Sequence, residues 1–200
     1  MTSDPLRAEL RARLRARREA LSPVDRIAAA QSLPAMLERI PEYLTDRRIA
    51  GYWAVGGELP LLALMPGLRE RGQAWHLPVL GDDRTLRFAP WQPGDAVEPN
   101  RYGIPEPRDR GAGTLWPDEL DVVLVPLLGF DRRGHRLGFG GGWYDRSFAF
   151  LQSREGVGRP LLVGVGYALQ EVARVPVEAW DVRLDYVATE RELIDLTPPE

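Results

Sequence analysis

The sequence predicts an α/β fold, a three-layer α/β/α sandwich around a mostly parallel sheet, preceded by a basic N-terminal helix. Three observations carry this expectation. Residues 122–128 form an unbroken apolar run rich in branched side chains, the pattern of a strand covered on both faces. A second run, Leu-Leu-Val-Gly-Val-Gly, lies within residues 160–167. Around them, helical and strand-like segments alternate, which favours parallel pairing with helices on the sheet faces.

In chain order, Asp4 and Pro5 read as an N-cap and a first helical position. A helix is expected over 6–21, with Leu6, Leu10, Leu14 and Leu21 on an apolar stripe. The same segment carries Arg7, Arg11, Arg13, Arg15, Arg17 and Arg18, which read as a solvated face, with nucleic-acid contact the lesser alternative. Ser22 followed by Asp25 marks a second helix start. That helix should run to about residue 40, disturbed at Pro34 and stopped by Pro41. The first strand is expected over 48–55, ending in the turn Gly56-Gly57-Glu58. Open α/β sheets bind ligands at that end of their strands, so Trp53 and Glu58 are candidate contacts, against default readings as a core residue and a loop acid.

A short helix over 59–71 ends at Gly72, and strands follow over 73–80 and 86–91. Residues 92–117 form a long connection rich in proline and glycine, and loops of that length tend to be functional or mobile. Within it Tyr102 offers either a flat face to a ring ligand or an anchor for the loop. Beyond the central strand, His135 reads as a solvated loop residue with nothing to orient it as a base. Trp143, Tyr144, Phe148 and Leu151 recur at helical spacing, and a final strand is expected near 185–189.

At 200 residues the chain is expected to be one domain, 1–200, and its 44% apolar and 28% charged residues are those of a soluble globular protein. No apolar run approaches the roughly 20 residues of a membrane span. The basic N-terminal segment lacks the apolar core of a secretory signal, so a cytoplasmic protein is expected. The absence of cysteine excludes disulfides, thiol nucleophiles and thiolate metal sites, and two histidines make a histidine zinc site improbable. There is no lysine, so every fixed side-chain cation is an arginine. A net charge of −3 argues against a general nucleic-acid binder.

The densest chemistry follows the central strand, where Gly138, Gly140, Gly141 and Gly142 arrive almost together. A strand, a glycine loop and a helix start bring bare N–H groups together as an anion site; four clustered glycines are also compatible with a simple tight turn. Neither familiar phosphate fingerprint is present: Trp143 stands where a dinucleotide loop needs its last glycine, and there is no Gly-Lys-Ser/Thr. Arg136, Tyr144, Asp145 and Arg146 flank the glycines, placing cation, aromatic and carboxylate at one loop.

The run Arg136-Leu-Gly-Phe-Gly-Gly-Gly-Trp-Tyr-Asp-Arg146, preceded by Pro126-Leu-Leu-Gly-Phe-Asp131, closely resembles the signature of the 5-formyltetrahydrofolate cyclo-ligase family. Other elements of that family occur in order across nearly the whole chain, including residues 100–107 and Pro176-Val-Glu-Ala-Trp-Asp181. The resemblance implies cyclisation of 5-formyltetrahydrofolate to 5,10-methenyltetrahydrofolate, with ATP and Mg2+ required and ADP and phosphate released. It implies that Arg7, Arg11 and Arg136 neutralise phosphate charge and that Gly138, Gly140, Gly141 and Gly142 offer backbone contacts to the phosphates. Asp145 and Asp181 match magnesium-associated carboxylates. Trp143 and Tyr144 would border a shared nucleotide–folate region, with Trp53, Glu58 and Tyr102 on the folate side. Arg136, Asp145 and Arg146 are the residues expected at the chemistry. The partner is then a reduced folate, with no nucleic acid or membrane involved and a monomer expected.

One departure stands out. Many relatives carry lysine at the position of Gly141, and losing one such contact costs on the order of 3 kcal/mol in a barrier. Arg146 or Arg136 is the expected substitute. The alternatives are a binding module of the same fold without turnover, and a sugar-phosphate isomerase or CoA-transferase-like enzyme on a similar scaffold.

Overall fold

The computed structural model describes residues 5–153 and 158–198, so the expected cap at Asp4 lies outside the described residues. The chain opens with α1 (Pro5–Glu19), α2 (Pro23–Leu37) and α3 (Pro41–Thr45). It continues through β1 (Arg48–Ala50), α4 (Met65–Glu70), β2 (Ala74–Leu80), β3 (Leu86–Pro90), β4 (Val97–Pro99) and β5 (Pro105–Pro107). The second half holds β6 (Val122–Pro126), β7 (Gly129–Phe130), β8 (Arg136–Leu137), α5 (Trp143–Ser147), β9 (Leu161–Val165), β10 (Tyr186–Ala188) and β11 (Leu193–Asp195).

Seven strands form the main sheet in the order β11-β10-β9-β6-β1-β2-β3. The five inner strands are parallel, while β3 and β11 pair antiparallel at the two edges. The apolar run of β6 sits at the centre, and its side chains divide between two cores. Val122 and Leu124 pack with α2, α3 and α4 residues such as Leu33, Leu37, Tyr43 and Leu68. Val123 and Val125 face Phe88, Phe148, Leu151 and Leu184 on the other side. Each such side chain contributes about 1.5–3 kcal/mol by leaving water, which explains the lack of any polar alternation along this strand.

Helix α2 begins as its sequence dictates: the Ser22 hydroxyl accepts the Asp25 N–H at 3.1 Å, and Pro23 occupies the first turn. It ends earlier than expected, and Pro41 starts the short α3 instead of merely stopping α2. The first strand is shorter than the expected 48–55. Its ladder gives out at Gly51, where a Cβ would lie 2.1 Å from the Trp75 ring. Residues 92–117 also differ from a bare connection, since β4 and β5 pair there as a hairpin whose buried Glu106 accepts the Leu80 N–H at 3.0 Å. The expected final strand, β10, is followed by one more, β11. No helix among the described residues is long and apolar enough to cross a membrane.

The amino end of the sheet is tied by Asp121, just before β6. Its carboxylate accepts the backbone N–H groups of Arg47 and Arg48 and pairs with the Arg48 and Arg159 side chains at 2.8 and 2.9 Å. Burial pushes this carboxyl up, but the Arg48 side chain and N–H, with Arg159, outweigh it and hold it at about 2. Its stabilisation is therefore full above the ordinary carboxylate range and lost as pH falls through about 2. Asp121→Asn should lower the unfolding free energy by about 2 kcal/mol at neutral pH and flatten its decline between about pH 5 and 2. Denaturant melts at several pH values check both.

Candidate active site at the carboxyl edge of the sheet

The parallel strands deliver their carboxyl ends to one edge of the sheet. The Gly56-Gly57-Glu58 turn follows β1, the β7–β8 ribbon and the glycine loop follow β6, and Tyr167 follows β9. Helix α1 lies across this edge. Leu10 and Leu14 pack against Leu137 and Val175, and the arginines on the same face reach three separate segments. Arg7 donates to Asp181 at 2.8 Å, Arg11 Nε to the Gly138 carbonyl at 2.9 Å, and Arg18 Nη2 to the Gly56 carbonyl at 2.7 Å. Arg7 and Arg18 are thus buried and not part of a solvated face, while Leu6 is exposed. The stripe facing the protein is Arg7, Leu10, Leu14 and Arg18, because arginine stems pack like apolar chains when their heads find acceptors.

The amides of the glycine loop are unpaired: the N–H groups of Gly138, Gly140, Gly141 and Gly142 have no acceptor among the described residues. Two of the loop's carbonyls are occupied instead, by Arg11 on Gly138 and by Arg146 Nη2 on Gly141 at 2.6 Å. Gly142 caps α5 with φ 64°, a left-handed conformation that a side chain would strain. Helix α5 spans only five residues, so the dipole expected of a longer helix is reduced and the loop amides carry most of the positive potential.

Arg136 is buried, its guanidinium bound to the Val182 carbonyl and to Asp145 Oδ1. Asp145 Oδ2 has no hydrogen bond among the described residues, which leaves it open to a cation. The two other expected partners meet each other: both Asp181 oxygens face Arg7, and Oδ2 also accepts the Glu178 N–H at 2.9 Å. Asp145 and Arg146 line a cavity of about 300 Å³ with Gly142, Ala149 and Trp180. Among the described residues no three His, Asp or Glu side chains gather as a metal site; Asp145 offers one open oxygen, and magnesium there would take its other ligands from waters and phosphate oxygens.

On the other side of the edge lies a cavity of about 340 Å³ lined by Trp53, Glu58, Tyr52, Trp75, Trp91 and Tyr167, among others. Trp53 and Trp91 meet edge to face at 5.4 Å. Glu58 is buried, with its carboxylate on the Val55 N–H at 2.9 Å. Burial pushes its carboxyl up to about 7 against the pull of that N–H and of Arg18. Tyr144 lies between the two halves: its hydroxyl is buried without a partner, and burial, then Glu58, push its pKa up. Tyr102 is 59% exposed and stands outside this cavity, edge-on to Trp143 at 6.5 Å.

Trp53 and Glu58, the two residues singled out in the sequence, line this cavity, together with Trp91, Trp75, Tyr52 and Tyr167, whose apolar character also fits core positions. Sequence reasoning misplaces His135, which is partly buried with Nδ1 3.3 Å from Asp131 Oδ1. Asp131 is fully buried and binds the N–H groups of Arg133, His135 and Val175, so it braces the loop.

An amide loop and an aromatic-lined cavity at the carboxyl edge of a parallel sheet are the arrangement of an α/β enzyme. The chain belongs to the 5-formyltetrahydrofolate cyclo-ligase family, whose sequence profile matches residues 4–190. It is 33% identical over 180 residues to the 5-formyltetrahydrofolate cyclo-ligase of Haemophilus influenzae, covering 89% of this chain and 94% of that one. The Escherichia coli K12 cyclo-ligase is 33% identical over 178 residues, covering 88% of this chain and 96% of that one. The solution structure of the Aquifex aeolicus 5,10-methenyltetrahydrofolate synthetase superposes with a TM-score of 0.81 at 29% identity, covering 98% of this chain and 95% of that one.

Proposed function

We propose that the protein cyclises 5-formyltetrahydrofolate to 5,10-methenyltetrahydrofolate at the expense of ATP, releasing ADP and phosphate. Residues 1–200 then act as one domain, as a monomer, in the cytoplasm. The observation that carries this reading is that the unpaired amides of Gly138, Gly140, Gly141 and Gly142 and the Trp53–Glu58 pocket lie at a single edge of the sheet. Family membership supports the substrate, and the bare amides support a polyphosphate beside it.

The pocket holds the reduced ring against its tryptophan side chains, with Glu58 accepting its N–H groups. The loop amides and Arg11 hold the phosphates in line with the formyl oxygen, and Tyr144 and Trp143 close the junction against water. Bound ATP supplies the phosphoryl group that turns that oxygen into a leaving group. Asp145 Oδ2, with Asp181 as the second carboxylate, would hold magnesium, which would supply shielding of the phosphate charge. Arg136 fixes Asp145 through Oδ1, and Arg146, lying along the Gly141 carbonyl, supplies the cation that lysine would provide at Gly141. No nucleophilic side chain is needed.

Purified protein with Mg-ATP and 5-formyltetrahydrofolate should generate the ultraviolet absorbance of the methenyl product, with one ADP formed per product. Phosphate release that ignores folate, or folate binding without product, contradicts the proposal.

A further inference from the structure

Both arginines expected to stand in for a lysine at position 141 are held by the protein itself. Arg136 is bound to the Val182 carbonyl and to Asp145. Arg146 donates through Nε to the Arg84 carbonyl at 3.0 Å and through Nη2 to the Gly141 carbonyl at 2.6 Å. Its charge therefore reaches the loop with two donors already spent. A Cβ on Gly141 would lie 2.9 Å from Cδ1 and 3.3 Å from Nε1 of Trp143, so the indole fills the space that a side chain at 141 would enter.

Arg101 rests on that same indole. Its guanidinium carbon is 5.3 Å from the Trp143 centroid and 5.3 Å from the Tyr102 centroid, and the two rings meet edge-on at 6.5 Å. The guanidinium carbon of Arg146 is 5.6 Å from the Trp143 centroid, so two cations share one ring. An anion bound there would relieve their mutual repulsion. Arg101 is exposed and has no carboxylate or other hydrogen-bond acceptor among the described residues, which leaves its donors open. The turn that carries it is braced. Asn100 Oδ1 accepts the Tyr102 and Ile104 N–H groups at 2.8 and 3.1 Å, and Asn100 Nδ2 donates to the buried Glu106 at 2.9 Å. The turn fixes where the Arg101 stem begins, and the two rings fix where its head rests.

We propose that Arg101 is a further catalytic residue: with Arg146 it replaces the absent lysine, and its open donors bind the oxygens of the transferring phosphoryl group. The inference rests on the reading of the glycine loop as the polyphosphate site. Trp143 follows Gly142 directly, so a cation on its ring lies beside the loop amides. When the formyl oxygen bonds to the γ-phosphorus, the bond to the bridging oxygen breaks and ADP leaves with that electron pair. Charge then spreads over the equatorial oxygens. Arg101 donates hydrogen bonds to them and transfers no proton. Its planar fork serves two oxygens at once, which a lysine amine does only as a point charge.

The test compares the dissociation constants of Mg-ADP and of Mg-ADP with aluminium fluoride, a mimic of the transferring phosphoryl group, both with 5-formyltetrahydrofolate bound. Arg101→Gln should weaken the aluminium fluoride complex by about 30-fold and ADP alone by less than about threefold. It should lower kcat by about 30-fold and leave KM for folate within about threefold. Adding Gly141→Lys to Arg101→Gln should bring turnover back to within about fivefold of wild type, because the loop then carries its own amine. If the double variant does not fold, Arg101→Ala supplied with millimolar guanidinium chloride replaces it, with a gain of about tenfold expected. Equal weakening of both complexes, weakening of neither, or turnover that no added cation restores overturns the inference while leaving the loop assignment intact. Wild-type protein that binds no Mg-ADP overturns both.

Discussion

Asp145→Asn lowers turnover by about 100- to 1,000-fold while the dissociation constant for 5-formyltetrahydrofolate stays within about threefold. The expectation follows from the two oxygens of this carboxylate. Oδ1 accepts from Arg136 and from the Val182 N–H at 3.3 Å, and an asparagine oxygen can keep both contacts. Oδ2 is the open one, and replacing it with an amide nitrogen puts a donor where a cation would sit. The cavity proposed for the folate does not include Asp145. Steady-state kinetics and direct folate binding separate the two effects, with a thermal melt to show that the Arg136 contact survives. Equal loss of turnover and folate affinity contradicts the assigned role.

Glu58→Gln weakens folate binding by about 100-fold and leaves turnover at saturating folate within about fivefold. A buried carboxylate that accepts two N–H groups contributes about 1.5–3 kcal/mol per charged hydrogen bond, and glutamine keeps the shape and the Val55 contact while losing the charge. The loss should therefore appear in KM. Titration of folate against the variant, read by tryptophan quenching and by initial rates, checks it. An unchanged KM with a reduced kcat places Glu58 at the chemistry instead of at ring recognition.

The parts of this molecule legible in its sequence are those set by short-range rules. The β6 run is apolar because both faces are covered, and Ser22 with Asp25 caps α2 whatever follows. The antiparallel edge pairings are not legible, because strand direction depends on where partners arrive and leaves no mark on a five-residue apolar pattern. The β4–β5 hairpin, three residues a side and full of proline, has no alternation to read. At the site, the glycine loop and its flanking charges announce themselves, but the contacts that give them meaning are distant. Arg7 and Asp181 meet across 174 positions, and nothing local separates the buried Arg18 from the exposed Arg17 beside it. The shortness of α5 was likewise hidden: Trp143, Tyr144, Phe148 and Leu151 keep helical spacing although the helix proper ends at Ser147 and a tighter turn carries the rest.

The basic helix shows why composition alone misleads. A run of arginines is a solvated face when its partners are water, and here three of them find carbonyls or a carboxylate in three separate loops. They tie the tail, the glycine loop and the β1 turn to one helix at the sheet edge.

A titration of isotope-labelled protein with Mg-ATP, followed in the amide proton–nitrogen spectrum, tests the placement of the polyphosphate most directly. Glycine amides resonate apart from the rest, so Gly138, Gly140, Gly141 and Gly142 can be followed individually. These four amides should move together and saturate with the nucleotide, as bare N–H groups acquire phosphate acceptors. Saturable shifts confined to other segments, with the four glycines unmoved, would contradict it.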